Sequence, residues 1–209
     1  IVEKLKHMSS VPGRFETIKN NLGARIVVDF AHTDDGLLNV GETLKDITEN
    51  RVITVFGAGG DRDHDKRPKM AKAAAKFSDF IILTSDNPRT ENPTDILNQI
   101  EEGLTEINFS KDKYTVIEDR EEAIKKAEEE FLKDSKNLEK YRNYVTVAFY
   151  QNREFKRTKE ITEIFLKNAP DYSYGYRVMA DILFYEKKYK ESAEYYEKAI
   201  GILKHGKQS

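Results

Sequence analysis

Residues 81–91 read Ile-Ile-Leu-Thr-Ser-Asp86-Asn87-Pro88-Arg89-Thr90-Glu91. An apolar, β-branched run ends in an acid, an amide, a rigid proline and a guanidinium. Arg89 can grip a carboxylate with two parallel hydrogen bonds. Asp86 can pair with an ammonium group. Open α/β sheets bind ligands just outside the C-terminal ends of their strands, so such a tip suits a zwitterion such as an amino acid. A second strand-like run, Val52–Phe56, ends in Gly57-Ala58-Gly59-Gly60-Asp61-Arg62-Asp63 and brings another cation to an adjacent strand end. Arg62, Asp86 and Arg89 together bring guanidinium forks and an acceptor to two adjacent strand ends.

The elements that must carry these tips alternate strand and helix patterns. Residues 25–30, 52–56, 80–84 and 114–117 read as strands. Residues 35–48, 67–77, 93–104 and 120–132 have helical spacing. Strands buried on both faces with helices between them predict an α/β fold, a mostly parallel, Rossmann-like sheet flanked by helices.

Beyond residue 127 the pattern changes. Eight of the 11 glycines precede that point and ten of the 11 tyrosines follow it. The formal charge is −4 before it (19 basic, 23 acidic) and +2 after it (16 basic, 14 acidic). A boundary is therefore expected within 128–138, dividing the chain into 1–130 and 131–209. The second part reads as an all-α segment of helix pairs with a period of 34. Tyr176–Tyr185 carries a small Ala180; Tyr189–Ala199 carries Tyr196 and Ala199; Pro170 precedes both. This resembles a tetratricopeptide repeat. The earlier copy departs from it, with Thr146, Thr162 and Phe165 where Ala180, Tyr196 and Ala199 stand in the later one. Two repeats are fewer than the three or so that stand alone, so they are expected to lean on the first domain, on further repeats or on another copy. The tyrosines read as repeat core rather than as a ligand surface.

The chain has 209 residues and a formal net charge of −2, so no global field favours nucleic acid or an anionic membrane. It lacks cysteine, which excludes disulfides and thiolate zinc sites and fits a reducing cytosol. No apolar run approaches the roughly 18 residues of a membrane span and no signal peptide is evident, so a cytoplasmic setting is expected. The chain begins at Ile1, not Met, and reads as a piece of a longer protein.

Four segments of the first part resemble, in order and spacing, the C-terminal domain of a Mur ligase of the MurE type. They are Val11–Glu16, Asp29–Thr33, Phe56–Asp63 with Lys66-Arg67-Pro68, and Thr84–Glu91. The resemblance covers roughly residues 8–127. It implies that a central domain, outside this chain, binds ATP and magnesium and phosphorylates the carboxylate of a UDP-MurNAc-dipeptide. An amino acid then attacks the acyl phosphate, and the C-terminal domain presents that amino acid. The Asp-Asn-Pro-Arg motif marks ligases using meso-diaminopimelate or a similar diamino acid; the lysine-using branch would not need Arg89's fork. Carried over, Asn87 and Arg89 hold the distal end of the amino acid, with Asp86 and Pro88 in the same motif and Arg62 as a second cationic contact. By the same resemblance Arg14 reaches the nucleotide, with Asp29 and His32 near it. Diaminopimelate and lanthionine present the same distal head.

Other readings attach to the same residues. The Gly57–Gly60 turn could need glycine for its backbone angles alone. His32 could be a buried, satisfied histidine, and Asp29 a cap on the following turn. Arg89 could be a surface salt-bridge residue. Asp61-Arg62-Asp63-His64-Asp65 starts like an EF-hand loop, but Lys66 and Lys72 stand where glycine and glutamate are needed, so no metal site is expected. Asn108-Phe109-Ser110 fits a glycosylation sequon by chance.

The chain departs from the family pattern at Phe30, Asp34 and Ala58, where tyrosine, proline and cysteine are usual. More seriously, MurE-type domains continue with another strand and a Gly-Lys-Gly-His-Glu segment that helps bind the amino end of the amino acid. No such segment occurs here. Nor does a Gly-x-x-x-x-Gly-Lys-[Ser/Thr] phosphate loop, so this chain alone is expected to be inactive and to contribute no catalytic residue. The leading expectation is a fragment of an ATP-dependent amide ligase carrying a helical module, which docks a protein partner or self-associates. The alternative is a non-catalytic scaffold on a degenerate Mur-like domain.

Overall fold

The computed structural model describes residues 11–20, 24–48, 51–133, 141–142, 145–151 and 154–205. The chain forms two compact units that part between Glu130 and Phe131, the second also taking in Asn20–Ala24. Part of the expected boundary, residues 134–138, lies outside the described residues.

In the first unit, β3 (Ile53–Phe56), β4 (Phe80–Leu83) and β5 (Tyr114–Val116) form a parallel sheet in that order. Ile53 pairs with Phe80, and Ile81 with Tyr114. A parallel neighbour needs a helical crossover; α2 (Lys66–Ala75) joins β3 to β4, and α3 (Pro93–Glu106) joins β4 to β5. Side chains alternate across a strand, and β4 sorts accordingly. Ile81 and Leu83 pack with Met70 and Ala74 of α2 and Ile96, Ile100 and Leu104 of α3. Phe80 and Ile82 pack on the other face with Ala123 of α4 (Arg120–Leu132). Burying one such Ile, Leu or Phe side chain is worth about 1.5–3 kcal/mol. The helix starts are built locally: Asn92 Oδ1 accepts from Thr94 N at 2.9 Å before Pro93 opens α3, and Thr33 caps α1 (Asp34–Asp46) through Gly36 N at 3.1 Å.

The run at 25–30 departs from expectation. Its strand, β2 (Ile26–Val28), is not part of the parallel sheet. It pairs antiparallel with β1 (Glu16–Ile18), Thr17 opposite Val27. The physical reason is exposure: Ile26 and Val28 are 36 % and 45 % exposed, so only one face of β2 is sheltered, unlike β4, where every residue is buried. The turn into β1 is tight, with Gly13 at φ 71° and Phe15 at φ 46°. Among the described residues β3 has no strand on its outer side, and the chain after α4 continues in helices.

The second unit comprises a π-helical turn, Thr146–Gln151, and helices α5 (Phe155–Asn168), α6 (Ser173–Tyr185) and α7 (Tyr189–His205). Its own core gathers Leu132, Tyr141, Val145, Phe149, Ile161, Phe165, Val178 and Ile182. α6 and α7 form a hairpin through a tight turn with Lys187 at φ 63°. Fully buried Ala180 lets the two helices approach, and its carbonyl accepts from Ser192 Oγ at 2.8 Å. Where the earlier copy should carry a regular helix the backbone is π-helical, and Thr146 Oγ1 bonds back to the Arg142 carbonyl at 2.8 Å. The tyrosines divide. Tyr141 is buried and stacks on Phe165 at 3.8 Å, whereas Tyr185 and Tyr189 are more than half exposed, so the reading of the tyrosines as core holds for only some of them. No helix among the described residues is long and apolar enough to cross a membrane.

Candidate amino-acid-binding site

Two turns meet at the C-terminal ends of β3 and β4. Gly60 N donates to the Asn87 carbonyl at 2.8 Å. A Cβ on Gly57 would lie 2.0 Å from the Thr84 carbonyl oxygen, and one on Gly60 1.8 Å from that of Pro88. None of the glycines in this turn has a positive φ. They are needed because two backbones touch, not for unusual torsion angles, which corrects the simpler reading of this turn.

Arg89 sits at φ 51°, left-handed for a residue with a Cβ. Its amide donates to Asn87 Oδ1 at 3.3 Å and its Nη1 to the Gly60 carbonyl. A Cβ on Gly59 would stand 3.3 Å from Arg89 Nη1 and 4.0 Å from Arg62 Cγ, so the bare face of this glycine forms the gap between the two arginines. Arg62, Asp86 and Arg89 line one open groove of about 760 Å3, with Asp29, Phe30, His32 and Arg120 also in its wall. Asn87 and Pro88 do not line it; their carbonyls and the Asn87 amide group build the turn behind Arg89.

Asp86 is already partnered. Arg120, at the start of α4, lies 3.7 Å from its carboxylate and donates to the Ser85 carbonyl at 2.9 Å. The groove wall thus gathers four guanidinium groups, Arg62, Arg89, Arg120 and the buried Arg67. Sequence reasoning gave Arg120 no role, and nothing in its neighbourhood marks it: it opens an ordinary charged helix.

Arg14, Asp29 and His32 cluster around exposed Phe30. The Arg14 guanidinium lies 5.0 Å from the Phe30 ring centroid, and the His32 ring stands edge-on at 5.5 Å. His32 is exposed, with Nδ1 3.1 Å from the Phe30 carbonyl oxygen, so the buried-histidine reading does not hold. The Asp29 carboxylate accepts from Phe15 N and Ala31 N, each at 2.8 Å, fastening β1 to the turn after β2. Arg14 is not part of the groove wall.

Beneath the two turns lies Arg67, 1 % exposed. It forks onto Glu91, Nη1 to Oε2 and Nη2 to Oε1, both at 2.8 Å, and also reaches Gln99 Oε1 at 2.7 Å. This fork, helped by the Asp61 amide and His64, holds the Glu91 carboxyl down at about 2 against the opposing cost of partial burial. Both residues belong to the motifs quoted above, yet sequence reasoning gave neither a role; an arginine beside a lysine on a helix's first turn looks solvated until the fold covers it.

The ATP and magnesium implied by the resemblance find no seat here. Among the described residues no group of three or more His, Cys, Asp or Glu side chains converges to hold a metal ion. The Gly57–Gly60 turn continues into Asp-Arg-Asp, without the Lys-[Ser/Thr] that cradles nucleotide phosphates.

The parallel sheet carries Arg62 and Arg89 on two joined turns, Phe56–Asp63 and Thr84–Glu91. Residues 13–136 match Mur ligase, glutamate ligase domain, and the chain belongs to the Mur ligase family. Its relatives within that family include the UDP-N-acetylmuramoyl-L-alanyl-D-glutamate–2,6-diaminopimelate ligase of Caldanaerobacter subterraneus subsp. tengcongensis, 51 % identical over 132 residues, which are 63 % of this chain and 27 % of that protein. The ligase of the same name from Clostridium botulinum is 50 % identical over 62 % of this chain and 26 % of its own length. A solved structure of such a ligase superposes with a TM-score of 0.50 and 42 % identity, covering 64 % of this chain and 26 % of that one. The chain therefore spans about a quarter of the length of the curated relatives it matches.

Proposed function

We propose that this chain contributes the amino-acid-presenting domain of an ATP-dependent Mur ligase that joins meso-diaminopimelate, or a similar diamino acid, to UDP-MurNAc-dipeptide in peptidoglycan synthesis. The observation that carries the reading is the gathering of Arg62, Asp86 and Arg89 in one groove at two adjacent strand ends. An identity of 50–51 % to diaminopimelate ligases over 131–132 residues supports it over a scaffold role.

In this reading Arg89 and Arg62 hold the distal carboxylate, and the distal ammonium meets Asp86 in competition with Arg120. Fixing that head leaves the other amino group free and aimed outward. Its orientation toward an activated carboxyl group is what the domain supplies, because positioning removes much of the entropic cost of a bimolecular step. Activation of the carboxylate belongs to parts of the ligase beyond the residues described, in the cytoplasm.

Calorimetry of the chain with meso-diaminopimelate tests the site. Arg89→Ala removes a charged, partly desolvated contact and should weaken binding by about 1.5–3 kcal/mol. Equal binding by wild type and variant would remove Arg89 from the site. The helical unit is read as a tetratricopeptide-like docking module, supported by the α6–α7 hairpin closed on Ala180 and by exposed Tyr189, Ile200 and Leu203 on α7. Light scattering across a concentration series should return a rising mass if it docks a second copy and a constant mass if it docks another protein.

A further inference from the structure

We infer that Arg67 is a positioning residue for the carboxylate-reading turn: through Glu91 it locks the Asn87–Glu91 turn onto the Gly57–Asp61 turn and so holds Arg89 in place. The ligand named below rests on the proposed diamino-acid reading; the clamp itself does not.

Arg67 lies on the first turn of α2, yet its four acceptors come from three other segments: the Gly59 carbonyl at 3.3 Å, both Glu91 oxygens, and Gln99 of α3. Its Nε is buried without a hydrogen-bond partner, so the group is oriented by its fork and not by full satisfaction of its donors. Glu91 passes the constraint on. Its Oε1 also accepts from the Asp61 amide, and Asp61 in turn accepts from Thr90 Oγ1 at 2.7 Å and from the Thr90 amide at 3.4 Å. With Gly60 N on the Asn87 carbonyl and Arg89 Nη1 on the Gly60 carbonyl, the two turns are joined by five hydrogen bonds.

Two residues in these joined turns, Asp61 and Arg89, are left-handed at φ 51°. Residues with a Cβ keep that conformation only where the surroundings over-determine it. Arg89 itself contributes only an anchor to the Gly60 carbonyl and an amide bond within its own turn. What fixes its backbone must therefore come from the flanks, and the buried flank is Glu91 on Arg67. A planar fork on a carboxylate sets direction as well as distance, which a lysine ammonium at the same place would not.

The test compares the whole chain with Glu91→Gln and Arg67→Lys, the second being decisive if the first fails to fold. Amide hydrogen exchange is followed at Gly60, Asp61, Arg89 and Thr90, with Ile81–Leu83 of β4 as reference. Meso-diaminopimelate affinity is measured by calorimetry well below each protein's urea midpoint. The clamp predicts at least tenfold faster exchange at the four turn amides, unchanged exchange in β4, and at least tenfold weaker binding. Arg89→Ala should weaken binding while leaving the four amides protected. Wild-type protection at all four amides in a folded variant overturns the inference, and so does unaltered affinity with altered exchange. Should the wild-type chain bind no diaminopimelate, the ligand reading falls while the exchange data still decide the clamp.

Discussion

At the scale of single residues, the site depends on atoms that are missing as much as on those present. Gly60 can lie against Pro88 only because it lacks a Cβ. Gly60→Ala should displace the Asn87–Arg89 backbone and lower stability by about 1–3 kcal/mol, as overpacking usually does, with diaminopimelate binding lost in parallel; urea denaturation and calorimetry read the two effects. Glu91 gives a pH signature. Its folded value of about 2 lies below the ordinary 4.5, so its contribution is complete above that ordinary value and is lost as pH falls through about 2. The urea midpoint of the wild type should therefore fall more steeply between pH 4.5 and 2 than that of Glu91→Gln. Parallel slopes would detach Glu91 from the acid response. The residue types at the strand tips were legible in sequence because a fork, an acid and a proline at the end of an apolar run have few other uses. Arg67 and Arg120 were not: their roles depend on segments 24 or more positions away, Glu91 and Asp86, that only folding brings within reach.

At the scale of elements, the helices of the first unit followed their periodicity to within two residues at either end; Thr33 and Asn92 also cap α1 and α3, whereas Asp65 makes no side-chain cap for α2. The exception, β2, shows the limit of that logic. A run such as Arg25–Phe30 has strand chemistry, but nothing in it states which partner it takes or how many of its faces are covered. Helix contacts set a second limit. Gly103 lies inside α3, where alanine is favoured by about 1 kcal/mol. A Cβ there would stand 2.2 Å from the Pro68 carbonyl oxygen of α2. Gly103→Ala should therefore destabilise the chain, against the helix-propensity trend, by about 1–3 kcal/mol; a urea midpoint at or above that of the wild type would show that α2 and α3 can separate without cost. In the second unit the helical character was legible, but the π-helical course of Thr146–Gln151, a segment that includes buried Phe149, was not.

At the scale of the whole molecule, the two units carry separate cores, one around β3–β5 and one around Tyr141, Phe149 and Phe165. A chain cut after Glu130 should keep the far-UV signature of its own helices and bind diaminopimelate as the full chain does; loss of binding on truncation would make the helical unit part of the site. The chain alone should show no phosphate release when given ATP, UDP-MurNAc-dipeptide and diaminopimelate in a coupled assay, because neither unit supplies a phosphate loop. Turnover by the purified chain would overturn that.

Local sequence determined the helix and strand types, the composition shift between the two parts, and the chemistry gathered at the ends of β3 and β4, because each of these follows from side chains within a few positions of one another. Tertiary structure alone decided that β2 leaves the parallel sheet, that Arg120 pairs with Asp86, and that Arg67 lies sealed beneath the turn carrying Arg89. Those outcomes depend on which distant backbones approach closely enough to exclude water and touch, and that distance is not written in any single stretch of chain.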